Sequence, residues 1–82
     1  MNEEEKKVYE AWLKSFGRCV ATRRRKLGLT QKEAAVQIGM HKKFYCDIEY
    51  GRRPITTRTL FLLCLRFELP IPYNEAVMFI CD

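Results

Sequence analysis

Apolar residues recur along this chain at helical spacing and nowhere alternate as a strand would. From about Glu3 to Leu27, the residues Val8, Trp12, Phe16, Val20 and Leu27 trace one face of a long amphipathic helix. Its acidic start (Glu3, Glu4, Glu5) and basic end (Arg23 to Lys26) suit the helix dipole, and Gly28 stops it. Thr30 caps a second helix, Gln31 to Ile38, and Glu33 completes a T-x-x-E capping box. A third helix starts near His41 or Lys42 and ends at Tyr50, with Gly51 as its stop and Pro54 preventing continuation. Thr56 or Thr57 caps a fourth, whose Leu60, Leu63, Cys64 and Phe67 repeat at i, i+3, i+4, i+7 as a core face does, and Pro70 and Pro72 end it. A short fifth helix, Asn74 to Cys81, is almost wholly apolar through Val77, Met78, Phe79 and Ile80.

The segment from Gln31 to Tyr50 carries the tightest constraints. Two short helices crossing at a sharp turn need a small residue where the backbones approach, which Ala35 supplies, and a residue free to take positive φ at the turn, which Gly39 supplies. Ala34, Ile38, Met40, Tyr45 and Ile48 place apolar groups on the inward faces of both helices. With Leu27-Gly28-Leu29-Thr30-Gln31 before them and Ile48-Glu49 and Gly51 behind, these residues resemble the lambda-repressor-like (Xre, Cro/CI) DNA-binding family from roughly Phe16 to Leu69. The resemblance implies an all-α fold, a compact five-helix domain over residues 1–82 whose first helix is extended by residues 1–15. It also implies a bacterial or phage transcription regulator.

In such a unit the helix beginning near Lys42 enters the major groove, and Lys42, Lys43, Phe44, Cys46 and Asp47 face outward as base-reading candidates. The two lysines either reach guanine O6 and N7 or hold a phosphate. Phe44 either presses on a thymine methyl or joins the core. Asp47 accepts from cytosine N4, pairs with a lysine, or excludes sequences through repulsion. Cys46 stands where the family often carries Ser, and His41 where it places a capping Ser or Thr. Gln31 resembles the glutamine with which the family clamps a phosphate; its alternative is a plain surface helix former. Arg52, Arg53 and Arg58 follow the reader and are phosphate candidates, each contact adding about 0.9 to the salt slope on duplex DNA. Arg24 and Glu49 match positions that in the family form an internal ion pair.

Charge supports this direction. The formal net charge is +5, but between Lys14 and Arg58 there are 12 Lys/Arg against 3 Asp/Glu, the electrostatic footprint of a phosphate-binding surface or, as the plainer alternative, a solvated charged face with no partner. Eighty-two residues at 48% hydrophobic make one small domain with no room for a separate sensor. Cys19, Cys46, Cys64 and Cys81 form no C-x-x-C pair and read as reduced, buried small hydrophobes. A single histidine, with no phosphate loop, nucleophile elbow or metal-ligand cluster, offers no enzymatic, metal or cofactor site. No leader opens the chain and no run is long enough to span a bilayer, so a cytoplasmic location without membrane contact is expected.

One reader helix covers few base pairs, so discrimination calls for two readers about 34 Å apart and hence a homodimer on double-stranded DNA. Phe61, Leu62 and Leu65 on the fourth helix, with Val77, Met78, Phe79 and Ile80 on the fifth, supply apolar surface for it. Val8 and Trp12 compete to cover that surface internally. The alternatives are an antitoxin-type regulator that also holds a toxin, or a protein-interaction module on the same fold.

Overall fold

The computed structural model describes residues 1–69, which form four helices in the order α1 (Glu3–Lys26), α2 (Gln31–Ile38), α3 (Lys42–Glu49) and α4 (Thr57–Phe67). The proposed fifth helix, with Val77, Met78, Phe79, Ile80 and Cys81, lies outside the described residues.

Local chemistry sets each boundary. Asn2 Oδ1 accepts from the Glu5 amide at 2.8 Å while the Asn2 amide donates to Glu5 Oε1 at 3.1 Å, a capping box that starts α1. Thr30 and Glu33 form the same reciprocal pair at α2. His41 caps α3 through Nδ1, which accepts from the Lys43 amide at 3.1 Å. Thr56 caps α4 by accepting from the Thr59 amide at 3.2 Å. Gly39 ends α2 in the left-handed region at φ 74°, which turns the chain into α3 within three residues.

The core joins all four helices: Val20 from α1, Ala34, Ala35 and Ile38 from α2, Tyr45 and Ile48 from α3, Leu63 and Phe67 from α4, then Leu69. Phe16, Leu29, Met40, Ile55, Leu62 and Cys64 pack around it half-buried. The ring of Tyr45 meets that of Phe67 edge-on at 6.4 Å. At the far end, Arg23 Nε donates to the Phe67 carbonyl at 2.7 Å and its guanidinium pairs with Glu68, closing α4 against α1.

Three sequence expectations change. The buried residues of α1 are Leu13, Gly17, Val20 and Ala21, whereas Val8, Trp12 and Leu27 are exposed; Trp12 stacks on Phe16 at 5.3 Å on the outer side. A stripe at steps of four drifts around a helix of 3.6 residues per turn, so only its middle can stay on the packed face. Leu62, expected off the core face of α4, packs against the core, leaving Phe61 and Leu65 exposed. Of the cysteines, Cys46 and Cys64 are half-buried but Cys19 is exposed.

The packed face of α1 turns on Gly17. A Cβ there would collide with the backbone carbonyl oxygens of Ile48 and Glu49, so α1 lies directly on the end of α3. About one turn away the contact repeats, since a Cβ on Gly51 would stand 2.6 Å from Lys14 Cα. The reader is therefore held at its C-terminal end by backbone contact, with no side chain between.

Candidate nucleic-acid interface

Helix α3 has two unlike sides. Tyr45, Ile48 and Glu49 are buried against α1, α2 and α4, while Lys42 and Lys43 stand exposed in its first turn with no acidic neighbour there. Cys46 and Asp47 are half-buried at the margin between these sides.

Beneath the reader lies an ion pair. Arg24 Nε donates to Glu49 Oε2 at 2.6 Å and Nη2 to Oε1 at 3.3 Å, a two-point contact with side chains 11% and 3% exposed. Arg24 Nη1 also donates to the Leu29 carbonyl at 2.9 Å, and Gln31 Nε2 donates to Glu49 Oε1 at 3.0 Å. One carboxylate thus ties the end of α1, the start of α2 and the end of α3. Burial pushes the Glu49 carboxyl upward, but the hydrogen bonds from Arg24 and then Gln31 outweigh it and hold the group below its ordinary range. Arg24 is raised in turn, chiefly by its hydrogen bond to Glu49. Because Arg24 cancels Glu49 internally, that carboxylate presents no net repulsion to an approaching phosphate.

Tyr45 Oη is buried beside this pair without a hydrogen-bonding partner among the described residues. Its pKa is pushed up, first by burial and then by the Glu49 carboxylate. The phenol acts here as a packing group.

The segment after α3 folds back beside it. The Arg53 guanidinium lies 4.4 Å over the Phe44 ring, and that of Arg52 lies 4.6 Å over the Tyr50 ring. Phe44 is 46% exposed, so its ring is no core residue, and its edge also faces His41 at 6.0 Å. Arg52 Nε approaches Asp47 Oδ1 at 3.5 Å, and its amide donates to the Asp47 carbonyl at 2.8 Å. Stacking fixes the guanidinium planes while leaving the N–H edges of Arg53, and those of Arg52 that do not face Asp47, to donate, which suits phosphate oxygens. Arg58 is exposed in the first turn of α4.

A family model described as helix-turn-helix matches residues 20–74, from the last two turns of α1 to beyond α4. The chain belongs to the lambda-repressor-like, Cro/CI/Xre-type helix-turn-helix family. No curated protein matches the chain. Membership makes the chain a DNA-binding regulator, and no helix among the described residues is long and apolar enough to cross a membrane. For a helix-turn-helix protein, the sites that sequence reasoning missed are those that carry no periodic signal. Gly17 is a glycine inside a good helix, where it costs about 1 kcal/mol relative to alanine; that anomaly alone marked a close approach. The stacks of Arg52 on Tyr50 and Arg53 on Phe44 depend on how the segment after Gly51 folds back, which no spacing rule encodes.

Proposed function

We propose that this chain is a sequence-specific transcriptional regulator that binds an inverted-repeat operator as a homodimer, with α3 as its reader. The observation that carries the reading is the exposed Lys42 and Lys43 on a helix whose opposite side is fixed by Tyr45, Ile48 and Glu49. A rigid underside presents the outward donors in one geometry, which base discrimination needs and generic charge attraction does not. Phe44, Cys46 and Asp47 complete the reading surface. Gln31 retains a second amide N–H for a phosphate beside its bond to Glu49, and Arg52, Arg53 and Arg58 contact the backbone on the far side. Exposed Phe61 and Leu65 on α4 support the pairing of two copies.

Selection of bound sites from a random duplex pool tests this directly. The expected result is a two-fold-related consensus with half-sites about one helical turn apart. Lys42→Ala and Lys43→Ala should leave thermal stability unchanged and weaken binding to the selected site by about 1–3 kcal/mol where they read a base, or uniformly across sequences where they hold phosphate. Wild-type affinity in both variants overturns the reader assignment. A folded chain with no salt-sensitive affinity for any duplex would instead mark a protein-interaction module.

A further inference from the structure

The face of α1 that meets α3 at Gly17 continues towards the N-terminus past the end of α3, where it faces the segment 51–54. Between them runs an open groove of about 460 Å³ whose lining includes Lys6, Tyr9, Glu10, Lys14, Arg52 and Arg53. Four cationic side chains therefore line it with one carboxylate, and of the four only Arg52 has an acidic partner, Asp47, among the described residues. Lys6 and Lys14 are exposed and make no ion pair among the described residues. Glu4 and Glu5 do not line this groove; they border a separate concavity with Val8, Tyr9 and Trp12. Lys6 and Lys14 thus face the arginines that follow the reader, with Glu10 between them, while Glu4 and Glu5 lie on another side of α1.

We propose that this groove is an additional seat for the sugar-phosphate backbone of duplex DNA, in which Lys6 and Lys14 act alongside Arg52 and Arg53. The inference rests on the DNA-reading function proposed above and assigns a role to helical turns that precede residues 20–74, where the family model matches. The groove is continuous with the candidate interface, because Arg53 stacks on Phe44 of the reader itself. Its position is rigid, since Lys14 is held against Gly51 by backbone contact. Eight residues of helix separate the two lysines by about 12 Å, enough for them to engage different phosphates on a strand that carries a charge about every 3.4 Å of axis. Phosphate contacts of this kind carry no sequence information, so the seat strengthens all duplex binding equally and sets orientation.

The test is the salt dependence of binding to a mixed-sequence synthetic duplex and to the selected site, for the full chain and its Lys6→Ala/Lys14→Ala variant. Loss of two phosphate contacts lowers the slope of log affinity against log salt by about 1.8, on both duplexes alike. The affinity deficit of the variant then shrinks about twelvefold between roughly 50 and 200 mM salt. Glu10→Gln, which removes the one carboxylate of the groove, tightens binding at low salt, and Lys6→Arg/Lys14→Arg keeps the wild-type slope. An unchanged slope in the alanine variant, alongside weakened binding by Lys42→Ala, overturns the groove while sparing the reader. Absence of salt-dependent duplex binding by the wild type overturns both.

Discussion

Replacing Gly17 by alanine sets two physical effects against each other. Helix propensity favours alanine by up to about 1 kcal/mol at an interior helix position. Packing opposes it, because the new methyl falls inside the contact distance of the Ile48 and Glu49 carbonyl oxygens and 2.8 Å from the Glu49 carbonyl carbon. To restore ordinary contact α1 must retreat by about 1 Å, given carbon contacts near 3.5 Å. All three atoms belong to backbone, and α1 is also pinned at Lys14 by Gly51 and at Arg24 by Glu49, so no flexible side chain can absorb the shift. Overpacking a close interface costs about 1–3 kcal/mol and more where relaxation is blocked, so a net loss of about 2 kcal/mol remains after the propensity gain. For a domain of this size that lowers the melting temperature by about 8–16 °C. Thermal unfolding followed by circular dichroism reads it, with Thr22→Ala, exposed on the same helix, as a control expected within about 0.5 kcal/mol of wild type. A Gly17→Ala protein that melts at or above the wild type refutes the close-contact argument, since propensity would then be the larger effect.

Arg24→Ala strands a buried Glu49 with only Gln31 as hydrogen-bonding partner, and chemical denaturation should record a loss of about 3–5 kcal/mol. Wild-type stability in that variant would mean the pair is hydrated and unimportant. Glu49 has a depressed pKa in the folded state, so its stabilisation is complete above the ordinary carboxylate value of about 4.3 and disappears as pH falls through the lower folded value. Glu33 acts in the same window, its carboxylate lowered by hydrogen bonds from the Thr30 amide and hydroxyl. Acid titration of stability should therefore be shallower in Glu49→Gln, and an identical acid limb would count against the linkage. Tyr45 has a raised pKa, so its contribution is intact below about 10 and is lost as pH climbs from there towards the folded value. In Tyr45→Phe the alkaline decline should flatten and stability at neutral pH should hold or rise, because a buried unpaired hydroxyl costs about 1–3 kcal/mol; a drop of similar size would reveal a bonded hydroxyl.

Where local chemistry decides, the chain was readable in advance. Thr30 with Glu33 marked the start of α2, Gly39 its end, and Thr56 or Thr57 the start of α4, which the structure caps with Thr56, because a cap needs only residues within one turn. The inward positions Ala34, Ala35, Ile38, Tyr45 and Ile48 were equally legible, since short helices do not accumulate drift between a hydrophobic repeat and the helical period. Over the 24 residues of α1 that drift decides the outcome, and the apolar stripe through Val8 and Trp12 misdirected the choice of face. The true contact runs through Gly17, whose side chain offers no hydrophobic signal at all. The candidate interface was visible as a list of cations, whereas the pairing of Arg53 with Phe44 and of Arg52 with Asp47 and Tyr50 depends on three-dimensional return of the chain.

The carboxylate shared by Arg24 and Gln31 also bears on how the molecule assembles over time. The three-residue connection lets α2 and α3 meet at little loop-closure cost, whereas Arg24 joins Glu49 across 25 positions of sequence and Arg23 joins Phe67 across 44. By loop-closure cost, docking of α1 is expected to come late in folding, after the rate-limiting barrier. Substitutions along its contact face should accelerate unfolding while leaving the refolding rate nearly untouched, so the lifetime of the native state is set by the clasp of α1 rather than by the pair of helices it encloses.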